Sequence, residues 1–250
     1  PDDQVPRIDR IIAARREQVR ALDLAAKSEL AARAFEGDEF MPLRYLIQDE
    51  RLGLWGSELG EDETEVRIAR VADFVRPEFR VGNVPTIRSA PWTHVAPRLL
   101  RHGDVLLERS GGTQINPVGC PAYVESPDKN TVCSNFVSRL RPREEVDGRY
   151  LSLLLGALYS TRQQAPHSTQ TTGIMNLNTT SYFSVRVPVR SHSEQASNGD
   201  QMEAALEDAR RRQAQLNKSI DLLTEYKSSL ITAAVTGELD VSTAGSSIPG

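Results

Sequence analysis

The sequence predicts an α+β protein: a mixed α/β block carried between two long helices that pair antiparallel, like a coiled coil. Three observations lead there. Residues 202–234 hold a seam of mostly apolar or small residues, with Gln213 and Lys227 as its polar members, at unbroken alternating spacings of four and three. Residues 8–26 hold a second, shorter stripe of the same kind. The segment between them breaks into short β-branched or aromatic runs bounded by Gly, Pro and Ser.

The first helix is expected from Pro6 to Phe35. Proline suits a first turn, where the N–H has no helical partner, and Gly37 suits a stop. Its stripe is Ile8, Ile12, Val19, Leu22 and Ala26, interrupted by Arg15, and the other faces are charged. In the central block the strand candidates are Val66–Phe74, Asp104–Arg109, Ala122–Glu125, Thr131–Arg139 and Tyr182–Val187. The leucine-rich run Tyr150–Tyr159 reads as one buried helix. The second long helix is expected from Asp200 to Thr236, with Asp200 and Glu203 at capping spacing and Gly237 as the stop. Its seam is Met202, Leu206, Ala209, Gln213, Leu216, Ile220, Leu223, Lys227, Leu230 and Ala234. Neither helix can hide its stripe alone, so each is expected to cover the other. An oligomerising coiled coil would satisfy the same seam. The expected organisation is a helix over 1–38, a globular domain over 39–190, a second helix over 191–241 and a disordered tail over 242–250.

A chain of 250 residues can bury a full core. No apolar run approaches the ~20 residues of a membrane helix. No signal core opens the chain, so the cytoplasm is the expected compartment. The first residue is Pro1, so a fragment or a processed chain is expected. Cys120 and Cys133 lie in apolar runs without a ligand cluster, and read as buried free thiols rather than a disulfide or a zinc site. Net charge is −4. Yet residues 66–143 hold 12 Lys and Arg against 6 Asp and Glu, and nearly all of these cations are arginine. Arginine grips phosphates and guanine edges bidentately. A GC-rich coding sequence gives the same bias, and that is the preferred cause.

Two segments have the chemistry that reading DNA requires. In 108–119, ERSGGTQINPVG, Arg109 can fork onto guanine, and Gln114 and Asn116 can each pair with adenine. Gly111 and Gly112 allow close backbone approach to phosphate, with Ser110 and Thr113 as hydroxyl donors. In 167–178, Ser168, Thr169, Gln170, Thr171, Thr172, Asn176 and Asn178 crowd one expected loop. A polar surface turn is the alternative reading of each. Gly111-Gly112-Thr113 is not followed by Gly-Lys-Ser/Thr, so a nucleotide triphosphate loop is not expected. Asn116-Pro117 is followed by Val118 and Gly119, so the adenine-methyltransferase tetrapeptide is absent. The four histidines are scattered, and no paired carboxylates or metal triad stand out. No catalytic residue, metal or cofactor is expected. Trp55 is expected in the core rather than against DNA.

The C-terminal string SIDLLTEYKSSLITAAVTGELDV, 219–241, closely resembles the C-terminal spacer helix of the DNA-specificity (S) subunit of type I restriction–modification enzymes. IDRIIAARREQVRALDLAAKSELAARAF, 8–35, resembles the spacer between its two recognition domains, departing late at KSELAARAF. Between them come GLWG at 53–56, VRIARVADF at 66–74, GDVLL before the 108–119 segment, TVCSNFVSRLRP at 131–142 and HSTQTTGIMNLNTTSYFSVRVPV at 167–189. Their order resembles one target-recognition domain. A full subunit has two such domains and two spacers, so this chain would be a C-terminal half or a half-sized subunit. The resemblance implies a non-catalytic DNA-binding specificity subunit that reads one half of a bipartite double-stranded target. Its implied partners are adenine-specific methyltransferase (M) subunits, a restriction/translocase (R) subunit, and a second copy through the spacer helices. Two alternatives remain: the recognition fragment of a single-chain restriction enzyme–methyltransferase, and a coiled-coil scaffold whose head binds protein.

Overall fold

The structure is a computed structural model that describes residues 4–58, 63–76, 78–171 and 173–236. The tail expected at 242–250, the stop at Gly237 and candidate Thr172 lie outside these residues. In chain order the first elements are α1 (Gln4–Phe35), β1 (Phe40–Pro42), β2 (Ile47–Leu52), β3 (Thr64–Ala69), β4 (Phe74–Val75), β5 (Arg80–Val81), β6 (Ile87–Ala90) and α2 (Trp92–Val95). Next come β7 (Val105–Glu108), β8 (Ser110–Gly112), β9 (Pro121–Tyr123), β10 (Thr131–Cys133), β11 (Val137–Pro142) and α3 (Gly148–Ser160). The last are β12 (Ser168–Thr171), β13 (Ile174–Leu177), α4 (Thr179–Tyr182), β14 (Arg186–Pro188) and α5 (His192–Thr236). These divide between two compact units, one running up to Ala26 and on from Glu207, the other from Lys27 to Leu206.

In the first unit α1 and α5 pair antiparallel through the two stripes. Ile8, Ile12 and Ile220 are buried, with Val19, Leu223 and Leu230 packed on them. The polar seam members are both satisfied. Lys227 Nζ reaches Asp9 at 2.5 and 2.7 Å, and Gln213 Nε2 donates to the Val19 carbonyl at 3.3 Å. The seam departs from expectation only at its end, where Ala234 is exposed and Ala233 is half-buried. No helix among the described residues is long and apolar enough to cross a membrane.

The second unit is built on a six-stranded mixed sheet, ordered β2-β11-β7-β9-β5-β4. Helix α3 packs against β7, β9 and β11. Its start is capped by Asp147, whose carboxylate accepts from the Tyr150 N–H at 2.9 Å. Leu106, Leu140, Leu151, Leu154 and Leu155 are fully buried in this core, joined by Leu30, Ala34 and Met202 from the long helices. A three-stranded sheet, β10-β3-β6, closes a smaller core of Val66, Ile68, Ala90, Val95 and Val132. Cys120 and Cys133 are buried and unbridged.

Several elements differ from expectation. The run Val66–Phe74 is not one strand. The Arg70 N–H bonds the Asp73 carboxylate at 2.8 Å and folds Val71–Asp73 into a 3-10 turn. The run Thr131–Arg139 is split by a turn in which the Val137 N–H donates to the Ser134 carbonyl at 3.0 Å. Tyr182 ends α4 instead of opening a strand. Helix α5 starts at His192, not Asp200. Ser191 and Glu194 form its capping box, with Ser191 N to Glu194 Oε2 at 2.7 Å and Glu194 N to Ser191 Oγ at 3.4 Å. Those bonds to Ser191 hold the Glu194 carboxyl below its ordinary value. Asp200 and Glu203 lie inside the helix and pair with Arg149 at 2.5 and 2.8 Å.

Candidate nucleic-acid interface

The two candidate segments, distant in sequence, meet in one three-stranded antiparallel sheet, β12-β13-β8. Asn176 stands opposite Ser110 and Met175 opposite Gly112, with a register irregularity between them. The segment 167–178 is therefore not a loop but a hairpin, in which Ser168 faces Leu177 and Gln170 faces Met175. Arg109 joins this sheet to the large one through its backbone. Its N–H donates to the Phe136 carbonyl at 2.8 Å, and its carbonyl accepts from the Leu177 N–H at 2.8 Å.

The candidate side chains divide into two sets. Some are occupied within the protein. Ser110 Oγ donates to Asn176 Oδ1 at 2.6 Å, Ser168 Oγ donates to the Gln164 carbonyl at 2.9 Å, and the Arg109 guanidinium lies 3.7 Å from Glu50. Asn178 caps α4, accepting from the Ser181 N–H at 3.0 Å. Gly112 is buried, and a Cβ there would sit 2.4 Å from the Val118 nitrogen. Its missing side chain lets the segment fold back on itself, not approach a phosphate. Gly111 has φ +101 with open space beside it. Other candidates face outward. Thr113 and Asn116 close a turn, with Thr113 N to Asn116 O at 2.7 Å and Asn116 N to Thr113 Oγ1 at 3.0 Å. Thr113, Gln114, Asn116, Thr169 and Gln170 are exposed, and the amides of Gln114, Asn116 and Gln170 have no partner among the described residues. A cavity of about 350 Å³ joins Gln114 and Pro117 of the first segment to Ser168, Thr169 and Gln170 of the second. Of Thr171 only the backbone is described, opposite Ile174.

Most arginines of 66–143 are structural: several pair with acids of the same segment, while Arg80, Arg109 and Arg139 lie against Glu203, Glu50 and Asp49 from outside it, so part of the local excess of positive charge is offset inside the fold. Arg76 pairs with Glu108, Arg141 with Asp104 at 2.9 Å, Arg67 with Asp128 at 3.2 Å and Arg70 with Asp73 at 3.1 Å. Arg139 is buried, paired with Asp49 and bonded to the carbonyls of Pro97 and Leu99. Glu108, at the head of the first segment, is almost fully buried. Burial pushes its carboxyl up to about 7, against the pull of the Arg76 guanidinium 3.1 Å away. Trp55 is not a core residue. It is 39% exposed, with the Arg88 guanidinium 4.8 Å above its ring.

Sequence reasoning missed two exposed residues beside Arg109, namely Asn135 and Phe136. Their only signal was the Ser-Asn-Phe string, hidden inside an apparently continuous strand.

No protein-family model and no curated protein sequence matches the chain. Solved structures do. One comes from work on complex assembly and conformational transition of the type I R-M system. It superposes with a TM-score of 0.68 at 17% identity, over 94% of this chain and 56% of that one. The HsdS subunit from Thermoanaerobacter tengcongensis superposes with a TM-score of 0.53 at 17% identity, over 95% of this chain and 56% of that one. The chain thus spans little more than half the length of the solved chains it matches. At this low identity, what the chain shares with the solved specificity subunits of type I restriction–modification systems is the fold.

Proposed function

We propose that this chain is a non-catalytic specificity component of a type I restriction–modification complex, reading one half of a bipartite double-stranded DNA target. One observation carries the reading. On this fold, the two segments richest in base-edge donors and acceptors are hydrogen-bonded into a single sheet that presents Gln114, Asn116 and Gln170 to solvent, their amides without a partner among the described residues. An amide side chain can bond an adenine edge bidentately, worth roughly 1–3 kcal/mol of discrimination. Residues 39–190 would form the recognition domain. The flanking helices would set the distance to a second recognition domain, in another copy or another part of a longer chain, and dock methyltransferase subunits. Such spacing by protein symmetry or repetition is how dimeric readers fix half-site separation. A translocating restriction subunit would complete the complex, and it acts where DNA is already inside the cell.

The test is co-expression with methyltransferase subunits encoded beside it, followed by sequencing of adenine methylation. A bipartite motif is expected. Gln170→Ala and Arg109→Ala should relax one half of it and leave assembly intact. Arg16→Ala, on the exposed face of α1, should leave the motif unchanged. Unaltered motifs in both of the first two variants would move the reading surface elsewhere on the domain. Methyl transfer by the rigorously purified chain alone would overturn the non-catalytic assignment.

A further inference from the structure

The turn that splits the expected strand Thr131–Arg139 has an unusual tip. Ser134 and Val137 at its base are buried, at 2% and 0% exposure, and bonded to each other across the turn. Its two tip residues, Asn135 and Phe136, are both exposed. Tight turns favour Gly, Asn, Asp, Ser and Pro at the tip, not a large aromatic ring. Phe136 is nevertheless 47% exposed, and the Asn135 amide has no partner among the described residues. A local choice that breaks the rules of folding on a rigid frame is expected where function requires it.

The turn is braced from two sides. The Phe136 carbonyl accepts from the N–H groups of both Arg109, at 2.8 Å, and Ser110, at 3.2 Å. The Gly53 N–H donates to the Val137 carbonyl at 3.0 Å, and the Leu54 N–H to the Cys133 carbonyl at 2.9 Å. A Cβ on Gly53 would fall 2.0 Å from that Cys133 oxygen, so only glycine lets this strand support the turn so closely. The tip is therefore locked to the backbone of the segment that carries Arg109.

We infer that Asn135 and Phe136 together read one A·T pair in the major groove. The inference rests on the DNA-reading function proposed above. An A·T pair offers there an acceptor and a donor on adenine and an apolar methyl on thymine. A free amide beside an exposed ring matches those three features in kind: Asn135 bonds the adenine edge and Phe136 packs on the thymine methyl. Neither a G·C pair nor a bare phosphate offers the methyl, and a backbone contact would gain nothing from the ring.

The test uses the full chain in complex with its co-expressed methyltransferase subunits and a pool of random-sequence duplexes. Selected duplexes are then made again with deoxyuridine in place of thymidine, which removes only the methyl group. The wild-type complex is expected to bind the thymidine form roughly fourfold more tightly, the worth of one buried methyl group. Phe136→Ala should bind both forms equally, and Phe136→Leu should restore part of the preference. Asn135→Ala should lose selectivity for A·T at one position, by roughly tenfold, while keeping the rest of the selected sequence. If both turn variants select the same sequence with the wild-type thymidine preference, the assignment of the turn falls. If selectivity then vanishes only in Gln170→Ala or Arg109→Ala, the proposed function stands without it. If no complex enriches any sequence, both fall together.

Discussion

Glu108 shows how one side chain can make this domain sensitive to pH. Its carboxyl is held at about 7 in the folded chain, against an ordinary value of 4.5. The folded state thus binds the proton more tightly than the unfolded state. The group's contribution to stability is present at low pH and is lost as pH rises from 4.5 through about 7, on the order of 3 kcal/mol in all. Glu108→Gln should flatten this dependence, so that the wild type loses melting temperature relative to the variant between pH 5 and pH 8. Parallel profiles for the two proteins would show that Arg76 keeps the carboxylate charged throughout. Gly112 makes a steric prediction at the same scale. Gly112→Ala would press a methyl group against the Val118 nitrogen and the Pro117 carbonyl carbon, both backbone atoms. It should cost about 1–3 kcal/mol and disturb the 113–116 turn, read as a lower melting temperature.

Among the elements, the helix pair was the most legible in sequence and the β12-β13-β8 sheet the least. The stripes worked because a two-helix seam writes burial directly as a spacing of three and four. Every residue named for the α1 stripe is less exposed than its helical neighbours, Arg15 included. The same logic missed the start of α5, because that part of the helix is buried by polar groups. Gln195 accepts from the Asp147 N–H at 2.9 Å and donates to the Arg190 carbonyl at 3.0 Å, and Asn198 Nδ2 donates to the Arg33 carbonyl at 3.2 Å. Such residues leave no apolar period to find. Strands β12 and β13 were missed for a related reason. The outward residues of β12 are polar, β13 exposes Ile174 and so shows no clean inward–outward alternation, and the pairing of β13 with β8 spans more than fifty residues of chain. Ile220→Asp tests the pair. A charge placed at this buried seam position should cost at least about 3 kcal/mol and lower helix content on heating. An unchanged melt and unchanged sedimentation would mean that the seam does not hold the helices together.

For the whole molecule, a net charge of −4, with many arginines held in internal pairs, gives no overall attraction to the duplex. The chain alone should bind DNA weakly, with a shallow dependence of affinity on salt. A steeper dependence should appear when partner subunits add phosphate contacts. Titrating binding against salt with and without methyltransferase subunits measures this, and tight binding by the chain alone would contradict it. The domain also carries two internal clocks. Cys120 directly follows the segment 108–119, and Cys133 precedes the turn that displays Phe136. Burial drives both thiols up to about 12, so neither offers a reactive thiolate while its surroundings stay closed. A thiol reagent can then react only as fast as each region opens, and the modified cysteine records which side opened first. With Cys120→Ser and Cys133→Ser variants separating the two signals, the labelling rates measure the rigidity of both flanks of the proposed reading surface. A ligand that clamps the surface should slow both clocks, and one that touches a single flank should slow only one.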